Sequence, residues 1–211
     1  MRLYSHDASP FAARVRIQIQ AKKLAVQIEP PPAAPGSAQL RGFSATGRIP
    51  ILEVDGELIP ESRVIMEYLE DRFPEPALRG QSARQAARVR LVCQLVDTYL
   101  VPALQPLRIA FRSKLGAAEL GEAQRALTDT LDCIEHYLTD GKYTVADELT
   151  LADCMLAPML FYVELLTAAV QPDFRVAGWP RVERSYRAAR QHDAAGPVIE
   201  SMHVATRGMR R

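Results

Sequence analysis

A proline at the head of an apolar run tightly constrains a chain, because the ring removes a backbone donor: proline can open a strand but cannot sit inside its ladder. In residues 46–69, Gly47-Arg48-Ile49-Pro50 leads into Ile51, Leu52 and Val54, and Asp55-Gly56 signals a two-residue hairpin with Glu57, Leu58 and Ile59 returning. The Ile49-Pro50 bond is a candidate cis peptide, which would turn the Ile49 N–H and C=O outward to pair with an extended ligand; an ordinary strand-opening proline reads the same in sequence. Pro60-Glu61-Ser62 then opens a helix in which Val64, Ile65, Tyr68 and Leu69 mark an apolar face. Ser62 there offers a hydroxyl, free N–H groups and a positive dipole end to a carboxylate, while Glu61 suits an ammonium group. Together they suit an α-amino acid head, although an isolated Glu-Ser pair also reads as a plain helix cap.

The preceding residues read as scaffold. Arg2–Tyr4 forms a first strand, and residues 5–8 lead to Ser9-Pro10, a helix start with serine at the cap and proline at the first helical position. Phe11, Val15 and Ile19 give that helix a face, and Lys22-Lys23 close it near the negative end of its dipole. Ser9 thus places a hydroxyl at a helix N-terminus, where a thiolate is well stabilised, though capping competes for the same hydroxyl. Ala25–Ile28 reads as a second strand, Glu29–Gly36 as a loop with four prolines in eight residues, and Ala38–Phe43 as a short helix.

Past the helix ending near Phe73, Pro74, Pro76 and Gly80 mark a linker, and the pattern beyond it is helical throughout. This divides the chain into an α/β domain over residues 1–77 and an all-helical domain over 84–211. Val92, Val96, Tyr99 and Ala103 form one stripe, which Pro102 and Pro106 are expected to disturb; Leu120, Leu127, Leu131, Ile134 and Leu138 form another. Thr150-Leu151-Ala152-Asp153 has capping-box spacing before an apolar run to Leu166, in which Pro158 should introduce a bend. The arginine-rich end, 207–211, reads as a mobile tail.

An apolar content of 48% with 24% charged residues supports a real core, and a net charge of +1 provides no field for nucleic acid or an anionic membrane. No signal peptide is read at the start, and no run is read as approaching the roughly 18–20 apolar residues of a membrane span. Cys93, Cys133 and Cys154 are scattered, which suits a reducing cytoplasm, and with four dispersed histidines they suggest no metal site.

In this order and spacing, Leu3-Tyr4-Ser5, Ser9-Pro10-Phe11 with Val15-Arg16-Ile17, Gly47–Leu52 and Glu61–Leu69 resemble the N-terminal domain of the glutathione S-transferase superfamily. The resemblance implies a thioredoxin-like domain followed by a helical bundle, a cis Pro50, and glutathione held at its γ-glutamyl head by Glu61 and Ser62. It implies Ile49 and Pro50 along the peptide, Arg48 at the glycine carboxylate (a surface arginine reads equally well), and Ser9 donating to the sulfur, with Tyr4 and Ser5 as rivals. Ser44-Ala45 stands where the family's Asn-Pro is usual, which weakens the match at the glycine end. The implied activity is a glutathione transferase attacking a hydrophobic electrophile held by the second domain, with Tyr99, Leu104, Arg108, Phe111 and Arg112 as pocket candidates and Trp179 beside them; a homodimer is also implied. Two alternatives stand beside it. One is a cis-trans isomerase of the maleylacetoacetate kind, whose Ser-Ser-Cys differs from Ala8-Ser9-Pro10 here; the other is a non-catalytic relative of the stringent starvation protein kind.

Overall fold

The computed structural model describes residues 1–112, 116–170 and 174–207, the side chain of Arg112 excepted. Two compact units result: Met1–Leu78 with His192–Arg211, and Arg79–Gln191. The division near residue 80 falls at the expected linker, but the last stretch of chain belongs to the first unit and not to a helical domain running to 211. Residues 208–211 of the arginine-rich end lie outside the described residues.

The first unit is built on a four-stranded sheet in the order β2-β1-β3-β4. β1 (Arg2–Tyr4) runs parallel to β2 (Gln27–Glu29) and antiparallel to β3 (Ile51–Val54), which pairs with β4 (Glu57–Pro60). β2 begins two residues later than the Val26/Ile28 alternation suggests. Its partner is only three residues long, so pairing starts at Arg2↔Gln27, and Ile28 on this edge strand stays 43% exposed. The β3–β4 turn has positive φ at both Asp55 (51°) and Gly56 (86°), the geometry that a tight hairpin needs to follow strand twist. Tyr4, Leu40 from α2 (Ala38–Phe43) and Ile51 form a buried cluster, and the Phe43 ring meets Tyr4 edge-on at 5.1 Å.

α1 (Pro10–Ala21) buries Ala12, Ala13, Val15, Ile17 and Ile19, while Phe11 of the expected stripe is half-buried. α3 (Ser62–Arg72) buries Ser62, Ile65, Met66 and Leu69, a 3–4 spacing that leaves Val64 53% exposed and off the expected face. Lys22 does more than face a dipole. Its buried ammonium donates to the carbonyls of Phe73 and Pro76 at 2.7 Å each and pairs with buried Glu70 at 3.2 Å. Glu70 also accepts from the Leu78 N–H and Gln18 Nε2, so one ion pair fastens the segment after α3 to α1. α9 (Gly196–Thr206) packs on α1.

The second unit holds α4 (Ala83–Leu95), α5 (Val101–Arg112), α6 (Ala117–Tyr137), α7 (Leu151–Val170) and α8 (Pro180–Gln191). The stripe is disturbed next to Pro102, by a π-turn and not by a break: α4 passes through Val96–Leu100 directly into α5. That turn carries one residue more than an α-turn, with the Val101 N–H reaching the Val96 carbonyl. The stripe is thereby rotated, putting Leu100, Leu104 and Leu107 in the core and Tyr99 53% outside it.

α7 corrects a second expectation. It is 20 residues long with mean hydropathy 1.5, as long and apolar as a membrane span. Every residue from Leu151 to Phe161 is buried, and the helix packs against α4, α5 and α8, so its all-round apolarity is that of a core helix. It continues through Pro158.

The start of α7 carries the box expected at Thr150 and Asp153. Asp153 Oδ2 accepts from the Thr150 N–H and hydroxyl at 2.9 and 2.8 Å, and Oδ1 accepts from the Thr144 N–H at 2.9 Å. Burial pushes the carboxyl up to about 6, against the pull of hydrogen bonds from Thr144 and Thr150. Because the folded state holds this proton more tightly than the unfolded chain, the stabilisation is complete below about pH 4 and is lost as pH rises through about 6. Asp153→Ala strands three buried donors and is expected to lower the unfolding free energy by about 3 kcal/mol at pH 5. Urea titrations of both proteins should show that gap narrowing between pH 5 and 7.

Candidate functional site

The sheet register brings the candidate residues of the first unit to one end. Tyr4 pairs with Ile51 and Ile51 with Pro60, so the residues just beyond those rungs, Ser5, Pro50 and Glu61, end three adjacent strands on the same side. α1 begins six residues after β1 ends, and α3 begins two residues after β4 ends. Helix N-termini, with their unpaired N–H groups and positive dipole ends, therefore follow from two of these strand ends.

Ser9 caps α1: its Oγ accepts from the Ala12 N–H at 3.2 Å. The loop before it is closed by the Ser9 N–H donating to the His6 carbonyl and the Ala8 N–H donating to His6 Nδ1. Capping does not use up the hydroxyl, because the cap occupies a lone pair and leaves the O–H proton to donate elsewhere. The two roles anticipated as rivals are therefore compatible.

Tyr4 and Ser5 are placed differently. Tyr4 is 8% exposed and its O–H donates to Glu53 at 2.7 Å. Ser5 is 6% exposed, and its Oγ is sealed from solvent with no hydrogen-bond partner among the described residues. Ser9 is half-buried.

The Ile49-Pro50 peptide is cis, as is Glu75-Pro76. Among the described residues Ile49 makes no backbone hydrogen bond, since the β3 ladder starts at Ile51. Its N–H and C=O are an unfilled rung that an extended peptide can occupy. Arg48 lies exposed beside it.

Glu61 is the N-cap of α3, with φ 70° and ψ 115°, and makes no side-chain cap bond. A non-glycine residue held there costs about 1–3 kcal/mol and persists only where its surroundings over-determine it. Here Pro60 is paired to Ile51 on one side, and on the other the Glu61 carbonyl already accepts the first helical bond, from the Ile65 N–H at 2.9 Å. The carboxylate of Glu61 stays exposed, and buried Ser62 is the first residue of the helix. No sequence signal marked this strain, because glutamate in an ordinary cap has the same one-letter context.

The pocket candidates of the second unit separate. Leu104 is 3% exposed and belongs to the core. Tyr99 lies exposed in the π-turn, Arg108 is exposed with its guanidinium on Gln105, and Phe111 is half-buried near the end of α5. The Arg112 side chain lies outside the described residues. Trp179 is engaged locally, its Nε1–H donating to Asp132 at 2.7 Å. Among the described residues no group of three His, Cys, Asp or Glu is placed to hold a metal ion.

The chain is similar to known proteins. Residues 3–77 match the family of glutathione S-transferase N-terminal domains, and residues 117–188 match the C-terminal domain family. A maleylacetoacetate isomerase of Pseudomonas aeruginosa is 30% identical, covering 97% of this chain and 96% of its own. A stringent starvation protein A homolog of Coxiella burnetii is also 30% identical, over 82% of this chain and 80% of its own. Among solved structures, a maleylacetoacetate isomerase of Anaeromyxobacter dehalogenans, with dicarboxyethyl glutathione and citrate bound in its active site, superposes with TM-score 0.78. It is 27% identical and covers 100% of this chain and 96% of that one.

The capping geometry separates the two serines energetically. Ser9→Ala removes a cap bond and should lower stability by about 1 kcal/mol. Ser62→Ala, at a helical position with no cap bond to lose, should change it by less than about 0.5 kcal/mol. Denaturant midpoints of the two variants check this.

Proposed function

Because the chain belongs to the glutathione S-transferase superfamily, we propose that it is a glutathione-dependent enzyme that isomerises a cis double bond conjugated to a carbonyl, as its maleylacetoacetate isomerase relatives are named for doing. The single observation that carries glutathione chemistry is the Ser9 hydroxyl, whose lone pair is held by Ala12 and whose proton is left to donate at the N-terminus of α1. The choice of reaction rests on the relatives. They favour isomerisation over the transfer to a hydrophobic electrophile, and the departure of Ala8-Ser9-Pro10 from Ser-Ser-Cys leaves the Ser9 donor in place.

In this reading glutathione lies extended along the cis-Pro50 segment. Its peptide pairs with the open rung at Ile49; its γ-glutamyl carboxylate meets the Ser62 hydroxyl and N–H, and its ammonium meets Glu61. Arg48 stands at the glycine end. Ionising a thiol of ordinary pKa near 8.5 at neutral pH requires a shift of about two units, or about 2.7 kcal/mol. One hydrogen bond to a charged acceptor contributes about 1.5–3 kcal/mol and a helix end about 0.3–1 kcal/mol, so Ser9 and the α1 terminus suffice without a general base.

The thiolate adds to one carbon of the cis double bond. A C–S bond forms and the π pair moves onto the conjugated carbonyl as an enolate. The former double bond, now single, rotates. The enolate then collapses, the C–S bond breaks, and the trans product leaves with the thiolate restored. No atom is exchanged with the substrate and no oxidant is needed. A transferase shares the first bond-forming step but releases the adduct, so glutathione is consumed.

Glutathione well below the concentration of a cis-configured dioxo-dicarboxylate such as maleylacetoacetate is expected to support complete conversion to the trans isomer. Consumption of one glutathione per substrate would assign a transferase, and the absence of glutathione binding would assign a binding protein of the stringent starvation kind. If Ser9 supplies the two-unit shift, Ser9→Ala should lower turnover about 20-fold at pH 7 and by little at pH 9, where the unassisted thiol is itself largely ionised.

A further inference from the structure

The C-terminal helix returns to the first unit from more than a hundred residues away, and a single arginine joins it to the loop that delivers Ser9. Arg16, on α1, has a side chain only 12% exposed. Its guanidinium pairs through Nη1 with Asp7, in the loop between β1 and Ser9, and donates through Nη2 to Ser201 Oγ on α9 at 3.0 Å. The Ser201 hydroxyl donates its own proton to the Val198 carbonyl at 2.7 Å, which leaves its lone pairs for Arg16. Arg16 is thus a planar fork with one arm on the loop and one on α9, a geometry that lysine cannot reproduce.

We propose that Arg16 is a positioning residue for Ser9, and that α9 braces the thiol-activating loop through the Asp7–Arg16–Ser201 link. The proposal rests on the assignment of Ser9 as the donor to glutathione sulfur. Only three residues, His6 to Ala8, separate Ser5 at the end of β1 from Ser9. Within the loop the Ser9 N–H donates to the His6 carbonyl and the Ala8 N–H to His6 Nδ1. These two bonds set its internal shape and not its placement against α1. Asp7 fastens the loop to α1 and, through Arg16, to α9. The link adds little to overall stability, because the Asp7 side chain is 57% exposed and such pairs contribute weakly. Its leverage is geometric, since a hydrogen bond from Ser9 to sulfur weakens steeply with misalignment.

Asp7→Ala and Ser201→Ala each cut one arm without removing the buried arginine. The expected result, from thiolate absorbance of bound glutathione titrated against pH, is a thiol pKa raised by about half a unit in each variant. Glutathione affinity at high pH should stay within about twofold of wild type, because Glu61, Ser62 and Ile49 are untouched. The double variant should shift little further than either single one, as expected for one continuous link. A general loss of packing would weaken binding without moving the thiol pKa. Variants that keep the wild-type thiol pKa would overturn the proposal. A wild type that leaves the thiol near its ordinary value would instead overturn the assignment of Ser9. The brace is then decided by hydrogen exchange at the Ala8, Ser9 and Ala12 amides, which it requires to quicken in Ser201→Ala and which, if unchanged, overturn it.

Discussion

The ladder on both sides of β3 is the interaction on which the rest of the first unit depends. β3 pairs antiparallel with β1 through Tyr4↔Ile51 and with β4 through Ile51↔Pro60, so one residue, Ile51, fixes the relative placement of three strand ends. Side chains alternate along a strand, and a slip of one residue would turn Ile51 out of the cluster with Tyr4 and Leu40 and move Pro50 and Glu61 apart. The buried faces thus enforce the register, and the register enforces the site. The strained Glu61 backbone is tolerable for the same reason: the β4 ladder and the first bond of α3 leave it no alternative conformation.

At that end of the sheet, a hydroxyl is more useful than its single oxygen suggests. Ser9 accepts from the Ala12 N–H and keeps a proton, so the group that starts α1 still has a donor to offer. Tyr4 lacks that freedom because its O–H is held by Glu53, and Ser5 lacks it because its oxygen is closed off from solvent. Local bonding, more than residue type, distinguishes these three nearby hydroxyls.

Much of this was legible in the residues. Ser9-Pro10 at a helix start, Asp55-Gly56 in a tight turn, the Ala38–Phe43 helix and the Thr150–Asp153 box are short-range arrangements, decided by capping and turn geometry within a few residues. Other features were not legible, and their causes are non-local. β2 starts at Gln27 because its partner is short; Lys22 is buried because Glu70 and two carbonyls of the segment after α3 meet it; Val64 faces out while Ile65, Met66 and Leu69 take the buried face of α3. Tyr99 left its stripe because a π-turn absorbed one extra residue, and the apolarity of α7 matched a membrane span until its surroundings accounted for it.

The sequence by itself determined the local units, the serine at the start of α1, the glutamate and serine at the start of α3, and the proline ahead of β3, because capping, turn and ring constraints act over a few bonds. It also carried enough ordered motifs to place the chain in its superfamily. Tertiary structure alone decided that the Tyr4 hydroxyl is engaged by Glu53 and the Ser5 oxygen enclosed, that α9 returns to the first unit, and that Arg16 joins it to the Ser9 loop. Those outcomes depend on groups tens to nearly two hundred residues apart, and only the packing of buried faces and the pairing of buried charges brings such groups together.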